Sequence, residues 1–180
     1  SQEAHRRETP MITPDYCRLL ADYNAWQNSA VRRAVAGLDH PALLLDRQAF
    51  FGSILGTLNH LLWADRLWMS RFDGGDRPPG GIRESAGLTT DAAAWEAGRV
   101  ETDARITRWT ADLSADALAG DLTWFSGAAR REVTRPLALC VVHFFNHQTH
   151  HRGQVHALLT DAGARPEDTD LFLMPGAEPA

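Results

Sequence analysis

Lysine is absent from this sequence of 180 residues, so all 18 basic side chains are arginines. They are outnumbered by 23 acidic residues, which gives a formal net charge of −5. Binding to nucleic acid requires a dense basic face. The small cluster of Arg130, Arg131 and Arg135 does not provide one. We therefore predict no nucleic-acid partner.

Cysteine and long apolar runs are also scarce. Cys17 and Cys140 are the only cysteines, each among apolar neighbours in a predicted helix, and two such residues do not make a disulfide framework. This pattern favours a reducing, cytoplasmic location. No apolar run approaches the roughly 18 residues of a membrane span, and the polar N-terminus lacks the core of a signal peptide. We expect no membrane partner, a flexible extension over residues 1–10 and a single domain over residues 11–180.

Two long amphipathic helices are predicted in the first half of the chain. The first begins after Thr13, a capping hydroxyl that is followed by proline and an acid, and it ends near Gly37. The second runs from about residue 46 to residue 72, with apolar residues three and four positions apart. The breaker-rich run DGGDRPPGG (73–81) then forms a loop.

The second half is predicted to hold two more helices with a β-hairpin between them. The third helix is capped by Thr89 or Thr90, and short β-prone runs within 120–135 indicate the hairpin. The fourth helix covers about 136–161, and the apolar residues 171–174 are expected to fold back onto the bundle. The fold class is therefore predicted to be all-α, a four-helix bundle with a small β-hairpin between helices three and four.

Histidine is concentrated in the fourth predicted helix, which holds five of the eight. They are His143, His147, His150, His151 and His156. Residues four apart lie on one face of a helix, so His143/His147 and His147/His151 are both pairs that can share one metal ion. His150 lies about 100° around the helix from His151 and is expected to face a neighbouring helix or a partner molecule.

A third ligand is predicted from the second helix. His60 lies among apolar residues near the middle of that helix, at a depth similar to that of His147 and His151 in theirs. A lone histidine in such a setting is usually a satisfied core residue, but the pair at matching depth makes His60 a ligand candidate. The Glu-x-x-His pattern of di-iron proteins and the His-Glu-x-x-His pattern of zinc proteases are absent. We interpret His5, His40 and His156 as surface or packing residues.

Three segments of the sequence resemble the DinB superfamily of bacterial damage-inducible proteins. They are YNAWQN (23–28), NHLLWAD (59–65) and HFFNHQTHHRGQ (143–154). The last segment is the most specific, and the resemblance extends over about residues 11–173. The superfamily also includes thiol-dependent transferases such as the bacillithiol and mycothiol enzymes.

This resemblance implies a four-helix bundle of up-up-down-down or related order, commonly a homodimer. It also implies one divalent metal ion, held by a histidine of the second helix and a His-x-x-x-His pair of the fourth. In this sequence those positions are His60, His147 and His151, and the family's motif does not include His143 or His150 as ligands. An all-histidine site suits several transition metals, and we expect zinc or nickel in a purified sample.

Two functional hypotheses follow. Three neutral imidazoles leave an open coordination position, as catalytic metal sites do. The first hypothesis is therefore a metal-dependent enzyme, either a transferase that uses a low-molecular-weight thiol or a related hydrolase. The second is a non-catalytic, dimeric, stress-associated protein that binds a metal or another ligand.

Four polar residues are predicted to support the site. By helix position, Asn24, Asn28 and Asp65 are candidate acceptors for the outer imidazole nitrogens. Arg152 is expected to be structural, with an anionic substrate group as the alternative partner for its guanidinium.

Overall fold

Four long helices dominate the structure, a computed structural model that describes residues 10–176. The elements are α1 (Pro14–Ala36), α2 (His40–Leu44), α3 (Ile54–Asp73), α4 (Ala92–Asp112), α5 (Ala115–Leu118), β1 (Asp121–Ser126), β2 (Arg131–Pro136) and α6 (Leu137–Asp161). Most of the predicted flexible extension, residues 1–9, and the last four residues of the predicted domain lie outside the described residues. The predicted all-α bundle with a hairpin before its last long helix is confirmed.

The first long helix begins as predicted, but the second begins later than predicted. Thr13 caps α1, since its hydroxyl accepts a hydrogen bond from the amide of Tyr16. The predicted start of the second helix near residue 46 is wrong, because α3 begins after Ser53, whose hydroxyl caps the helix. The residues before Ser53 form a tight turn with Gln48 and Gly52 at positive φ, which a continuous helix cannot include.

The third long helix and the hairpin lie close to their predicted positions. The cap of α4 is Asp91 rather than Thr89 or Thr90, and its carboxylate accepts from the amide of Ala94. β1 pairs antiparallel with β2, and the two strands are joined by a turn at 127–130. The hairpin is therefore placed directly before α6.

Contacts between the long helices define their directions. The pairs are Asn24–Asp103 and Arg32–Glu96 for α1 and α4, Asp65–Arg99 and Asp73–Arg105 for α3 and α4, and His60–His151 and Trp68–His143 for α3 and α6. Along these contacts, residue numbers rise in one helix as they fall in the other for α1 with α4 and for α3 with α6, so both of these pairs are antiparallel. For α3 and α4 the residue numbers rise together, so these two helices are parallel. The order is therefore up-down-down-up rather than up-up-down-down. Because α3 and α4 are parallel, residues 74–91 must return along the bundle between them.

Two apolar clusters fill the bundle and are separated by a buried polar layer. One cluster, at one end, includes Cys17, Ala21, Met69, Ile106, Val141 and Phe144, and the other includes Val35, Leu55, Leu62, Trp95, Val155 and Leu159. Between them lie Asn24, Asn28, Asp65, Arg99, Gln148 and Arg152, all buried. The middle of the bundle is thus polar, and the predicted ligand histidines lie at this level.

The C-terminal segment contacts the bundle through polar groups. Of the apolar residues 171–174, which are expected to fold back onto the bundle, only Met174 is buried, while Phe172 is 75% exposed. Burial of this run is therefore limited to Met174. The anchoring contacts come earlier, where Tyr23 and Gln27 donate hydrogen bonds to backbone carbonyls of residues 169 and 168. Within residues 10–176, no helix combines the length and apolar character needed to cross a bilayer.

Candidate metal centre

The antiparallel packing of α3 and α6 brings the three predicted ligand histidines together. His60 lies in the middle of α3, and His147 and His151 lie one turn apart on α6. One ring nitrogen from each lies within 4.8 Å of the other two, close enough for the three to bind one metal ion. His60 and His151 are buried and His147 is half-buried, so His147 is the most exposed of the three.

The hydrogen bonds of the outer ring nitrogens determine which nitrogen faces the centre. Ser85 donates its hydroxyl proton to the carbonyl of Ile82, so its oxygen, 2.9 Å from Nδ1 of His60, accepts the proton on that nitrogen. Oε1 of Gln154 lies 2.8 Å from Nδ1 of His151 and accepts there in the same way. In both rings the unprotonated Nε2 is therefore left as the inward nitrogen.

The inward nitrogens of the α6 pair are in direct contact. Nε2 of His147 and Nε2 of His151 are 3.1 Å apart. Two lone pairs at this distance repel each other unless a proton or a cation lies between them. The pair therefore has the spacing and the donor atoms of a shared cation site.

All three imidazoles are neutral at pH 7. Burial, with a smaller contribution from His151, lowers the pKa of His60 to about 4. Burial together with the neighbouring histidines lowers the pKa of His147 to about 3. Burial also lowers the pKa of His151, against the opposing effect of its hydrogen bond to Gln154. Neutral imidazole is the form that binds a metal ion, so no proton must be displaced first.

Aromatic side chains surround the histidines on two sides. The ring of Phe51 stacks on that of His60 with centroids 3.8 Å apart, and Trp63 stacks on the same ring more loosely at 6.2 Å. Beyond His147, the exposed His143 lies 5.8 Å from it and 5.1 Å from the ring of Trp68. Phe51 and Trp63 therefore shield His60 from water, while the exposed ring of His143 lies on the side of His147.

Among residues 10–176, the histidines outside the triad are not part of the converging group. His143 is next to the triad but does not converge with it, which leaves His147/His151 as the pair that the structure favours. His150 is exposed, with its ring centroid 4.9 Å from that of His151. His40 is exposed and His156 is half-buried, whereas His5 lies outside the described residues.

The predicted acceptors for the imidazoles have other partners. Asp65 accepts from Arg99 and Gln148, and Asn24 and Asn28 both donate to Asp103, so the prediction that these three orient the ligands is wrong. Ser85 and Gln154 are the acceptors for the outer imidazole nitrogens instead. The sequence could have indicated Gln154, because it follows His151 by about one helical turn. It contains no comparable indication for Ser85, which lies in the connector after α3.

Arg152 belongs to the buried polar layer, as its structural interpretation predicted. Its Nη1 donates a hydrogen bond to Oδ1 of Asn24, and its guanidinium lies 5.6 Å from the ring centroid of Tyr23. The central ion pair of this layer is Arg99–Asp65, 2.7 Å apart, with both side chains 1% exposed. Arg99 also lies 2.8 Å from Asp103 as a second ion pair. The layer thus joins all four long helices.

The donor set fits a divalent transition-metal ion, because three neutral imidazoles converge and two are oriented by hydrogen bonds through their outer nitrogens. Fold and site together define a helical-bundle protein with a candidate three-histidine metal centre. A profile of the DinB family matches residues 11–179, and the chain belongs to that family. The match covers the region over which the sequence resemblance was drawn, so the predicted family is confirmed.

Two known proteins are similar to this chain. Protein DinB of Bacillus subtilis (strain 168) is 23% identical over 175 residues, covering 88% of this chain and 94% of the relative. The crystal structure of a DinB-like protein from Bacillus cereus ATCC 10987 matches with a TM-score of 0.58 and 17% identity. The match covers 81% of this chain and 90% of that one, and it shows the shared fold.

Proposed function

We propose that this protein binds one divalent metal ion, zinc or nickel, through Nε2 of His60, His147 and His151. The observation that supports the proposal is the convergence of three neutral ring nitrogens within 4.8 Å. Ser85 and Gln154 support it further, because they orient the rings of His60 and His151 through the outer nitrogens. Three protein ligands are the number found in catalytic zinc sites, which keep a further position for water or substrate.

The proposed activity is a metal-dependent thiol transfer, with hydrolysis as the related alternative. A divalent ion held by three neutral imidazoles supplies Lewis acidity, which lowers the pKa of a thiol or of water. The chain's own residues keep the imidazoles neutral and oriented, and Phe51 covers one face of His60. The half-buried position of His147 gives a small molecule access from that side.

The cysteines of the chain support a small-molecule thiol as the nucleophile. Cys17 is fully buried, and burial raises its pKa to about 11. Cys140 is 4% exposed, and burial raises its pKa as well. Neither thiol forms a thiolate readily or reaches the triad, so a nucleophilic sulfur would come from a low-molecular-weight thiol.

A second candidate function is a non-catalytic, dimeric, stress-associated metal- or ligand-binding protein. It is favoured by the positions of three cavities in the described structure. A cavity of about 310 Å³ lies against α1 and α6, a cleft of about 760 Å³ lies between α3, its following connector and α4, and a cavity of about 360 Å³ lies between the end of α1 and the segment after α6. None of the three is lined by a histidine of the triad, whereas enzyme sites are usually concave.

Metal analysis of single variants tests the proposed ligands. We expect His147→Ala and His151→Ala to lose stoichiometric metal, while circular dichroism shows that most of the helix content remains. His150→Ala is the matched control, since this exposed neighbour lies outside the triad and is expected to keep one ion per chain. Retention of one ion per chain by the two triad variants would reject them as ligands.

A reaction assay separates the two candidate functions. Metal-loaded protein would be mixed with bacillithiol or mycothiol and monochlorobimane, whose chloride is displaced as the thioether forms and the thiol proton passes to buffer. Catalysis that disappears in His147→Ala supports the transferase. Hydrolysis of p-nitrophenyl acetate by the loaded protein alone supports the hydrolase, and failure of both reactions with full metal occupancy favours the binding protein.

The proposed setting is a homodimer in a reducing, cytoplasmic compartment. The dimer is supported by the family resemblance, and the compartment by two buried cysteines that are both unpaired. Sedimentation over a range of concentrations tests the dimer, and a monomer at every concentration would contradict it. We propose neither a nucleic-acid nor a membrane partner.

A further inference from the structure

The cavity of about 310 Å³ lies on the opposite side of α6 from the metal centre. Its lining includes Tyr23 and Gln27 of α1, Thr149, Arg152 and Gly153 of α6, and Glu167 of the C-terminal segment. Successive residues of an α-helix are about 100° apart, so the face of α6 that carries residues 149, 153 and 156 points away from the face with residues 147 and 151. This cavity and the triad are therefore separate sites.

Arg152 is a buried cation in the wall of this cavity, and it has no direct ion pair among residues 10–176. The residue is 8% exposed, and its guanidinium makes one hydrogen bond within residues 10–176, from Nη1 to Asn24. No carboxylate of those residues lies within ion-pair distance of it. Asp65 and Asp103, the acids that act to raise the pKa of Arg152, are both paired directly with Arg99. Burial lowers the pKa of Arg152 to about 10, which leaves it charged at pH 7.

The two nitrogens of Arg152 without a partner in the described part of the chain form the edge that usually binds a carboxylate. Nε and Nη2 of Arg32, Arg33 and Arg105 bind Glu96, Glu167 and Asp73, respectively, at 2.6–2.9 Å. In Arg152 the same two atoms bind no group among residues 10–176, and they are not among the fully enclosed polar atoms. A planar guanidinium edge matches the two oxygens of a carboxylate.

The rest of the cavity is built from fixed and largely neutral groups. Tyr23 donates to the carbonyl of Thr169 at 2.6 Å and Gln27 to that of Asp168 at 3.1 Å, so the C-terminal segment closes one side. The carboxylate of Glu167 is bound by Arg33 and does not neutralise Arg152. Ala30, Val31, Ala157 and Leu159 provide apolar walls. The volume is at the lower end of the range for small-molecule sites.

We infer that this cavity binds a small organic carboxylate with an apolar body, which Arg152 holds through Nε and Nη2. The carboxylate gives the guanidinium a direct ion pair, and the apolar body packs between α1 and α6. The inference does not depend on the proposed function, since no residue of the triad contributes to the cavity.

Binding of phenylacetate and of its neutral isostere phenylacetamide tests this inference. Titration of the metal-loaded protein, followed by calorimetry or by protein NMR, is expected to show saturable one-to-one binding of phenylacetate. A hydrogen-bonded charge pair contributes enough free energy for the amide to bind about tenfold to a hundredfold more weakly. Arg152→Met is expected to lose binding of the acid by a similar factor, while Arg152→Lys retains part of it.

A second variant tests the site without removing the buried charge. A Cβ added at Gly153 meets no heavy atom within 4 Å, so Gly153→Leu is compatible with the helix and extends into the cavity. This variant is expected to keep its metal content and lose phenylacetate binding even if Arg152→Met does not fold. Equal affinity for acid and amide, unchanged binding in Gly153→Leu, or failure of phenylacetate and hexanoate alike to bind would overturn the inference.

Discussion

Two clusters of polar side chains lie at the middle of the bundle, and they differ in whether they contain charges that pair with each other. The layer around Asp65 and Arg99 pairs opposite charges within the chain, at 2.7 Å and with 1% exposure on both sides. The histidine triad instead brings three neutral acceptors to one point, and the outer nitrogens of His60 and His151 are bound to Ser85 and Gln154. The first arrangement joins helices, whereas the second is an arrangement that can bind a cation.

Breaking the ion pair should have the largest effect on stability. Asp65→Ala leaves Arg99 buried with only part of its counter-charge, which costs about 3–5 kcal/mol of unfolding free energy. Urea unfolding of the metal-free protein measures this loss. A cost below about 1 kcal/mol of unfolding free energy would show that water or Asp103 replaces the missing carboxylate, and that Arg99 does not depend on Asp65 for its counter-charge.

Removing an outer partner of the triad should weaken metal binding without unfolding the protein. Gln154→Ala frees Nδ1 of His151, and loss of such a partner typically lowers metal affinity about 10- to 100-fold. Competition with a chelator measures the affinity, and the unfolding free energy of the metal-free protein should change little. Asn146→Ala is the control, because this exposed amide on α6 donates only to the carbonyl of Val142. Equal affinity in both variants would contradict the role given to Gln154.

Acid should affect the triad before it affects the rest of the fold. An unfolded histidine takes up a proton near pH 6.5, whereas folded His60 does so only near pH 4 and folded His147 near pH 3. Between these values the unfolded state binds more protons, so the metal-free protein loses stability as the pH falls from about 6.5 towards 4.

Urea midpoints at pH 7, 6 and 5 measure this dependence. The double variant His60→Gln/His147→Gln is expected to have a shallower dependence than the parent protein. His150→Gln, which replaces an exposed ring, serves as the matched single substitution. Identical pH profiles for the parent protein and the double variant would show that burial does not hold the two rings neutral.

A surface ion pair between two of the same helices should have the smallest effect. Arg32 of α1 and Glu96 of α4 lie 2.7 Å apart, but their side chains are 32% and 47% exposed. Glu96→Ala should therefore cost only about 0.2–1 kcal/mol, because water solvates the remaining charge. A loss as large as that of Asp65→Ala would mean that burial does not explain the difference between the two pairs.

The long helices could be predicted because their signals are local. Thr13 before Pro14, and apolar residues at helical spacing, are sufficient to predict α1. The late start of α3 could not be predicted in this way, since residues 46–53 carry a helix-like apolar pattern. Their turn depends on Gln48 and Gly52 at positive φ and on the cap at Ser53.

The three histidines could be predicted, but their partners could not. Spacing places His147 and His151 on one helix face, and similar depth adds His60, because antiparallel helices bring their middles together. The choice of His147/His151 over His143/His147 needed the family resemblance. Ser85 lies 25 residues from His60 in a connector without regular periodicity, so its contact with the ring depends on the path of the chain between two parallel helices.

The connector after α3 is held by two neighbouring residues of that helix. Asn59 donates to the carbonyls of Ala86 and Thr89 and accepts from the hydroxyl of Thr89, while His60 contacts Ser85. Local unfolding of residues 85–89 therefore releases the ring that a bound ion requires. By thermodynamic linkage, an ion that binds the triad only when this connector is folded slows amide exchange there, and a change that loosens the connector weakens the affinity for the ion.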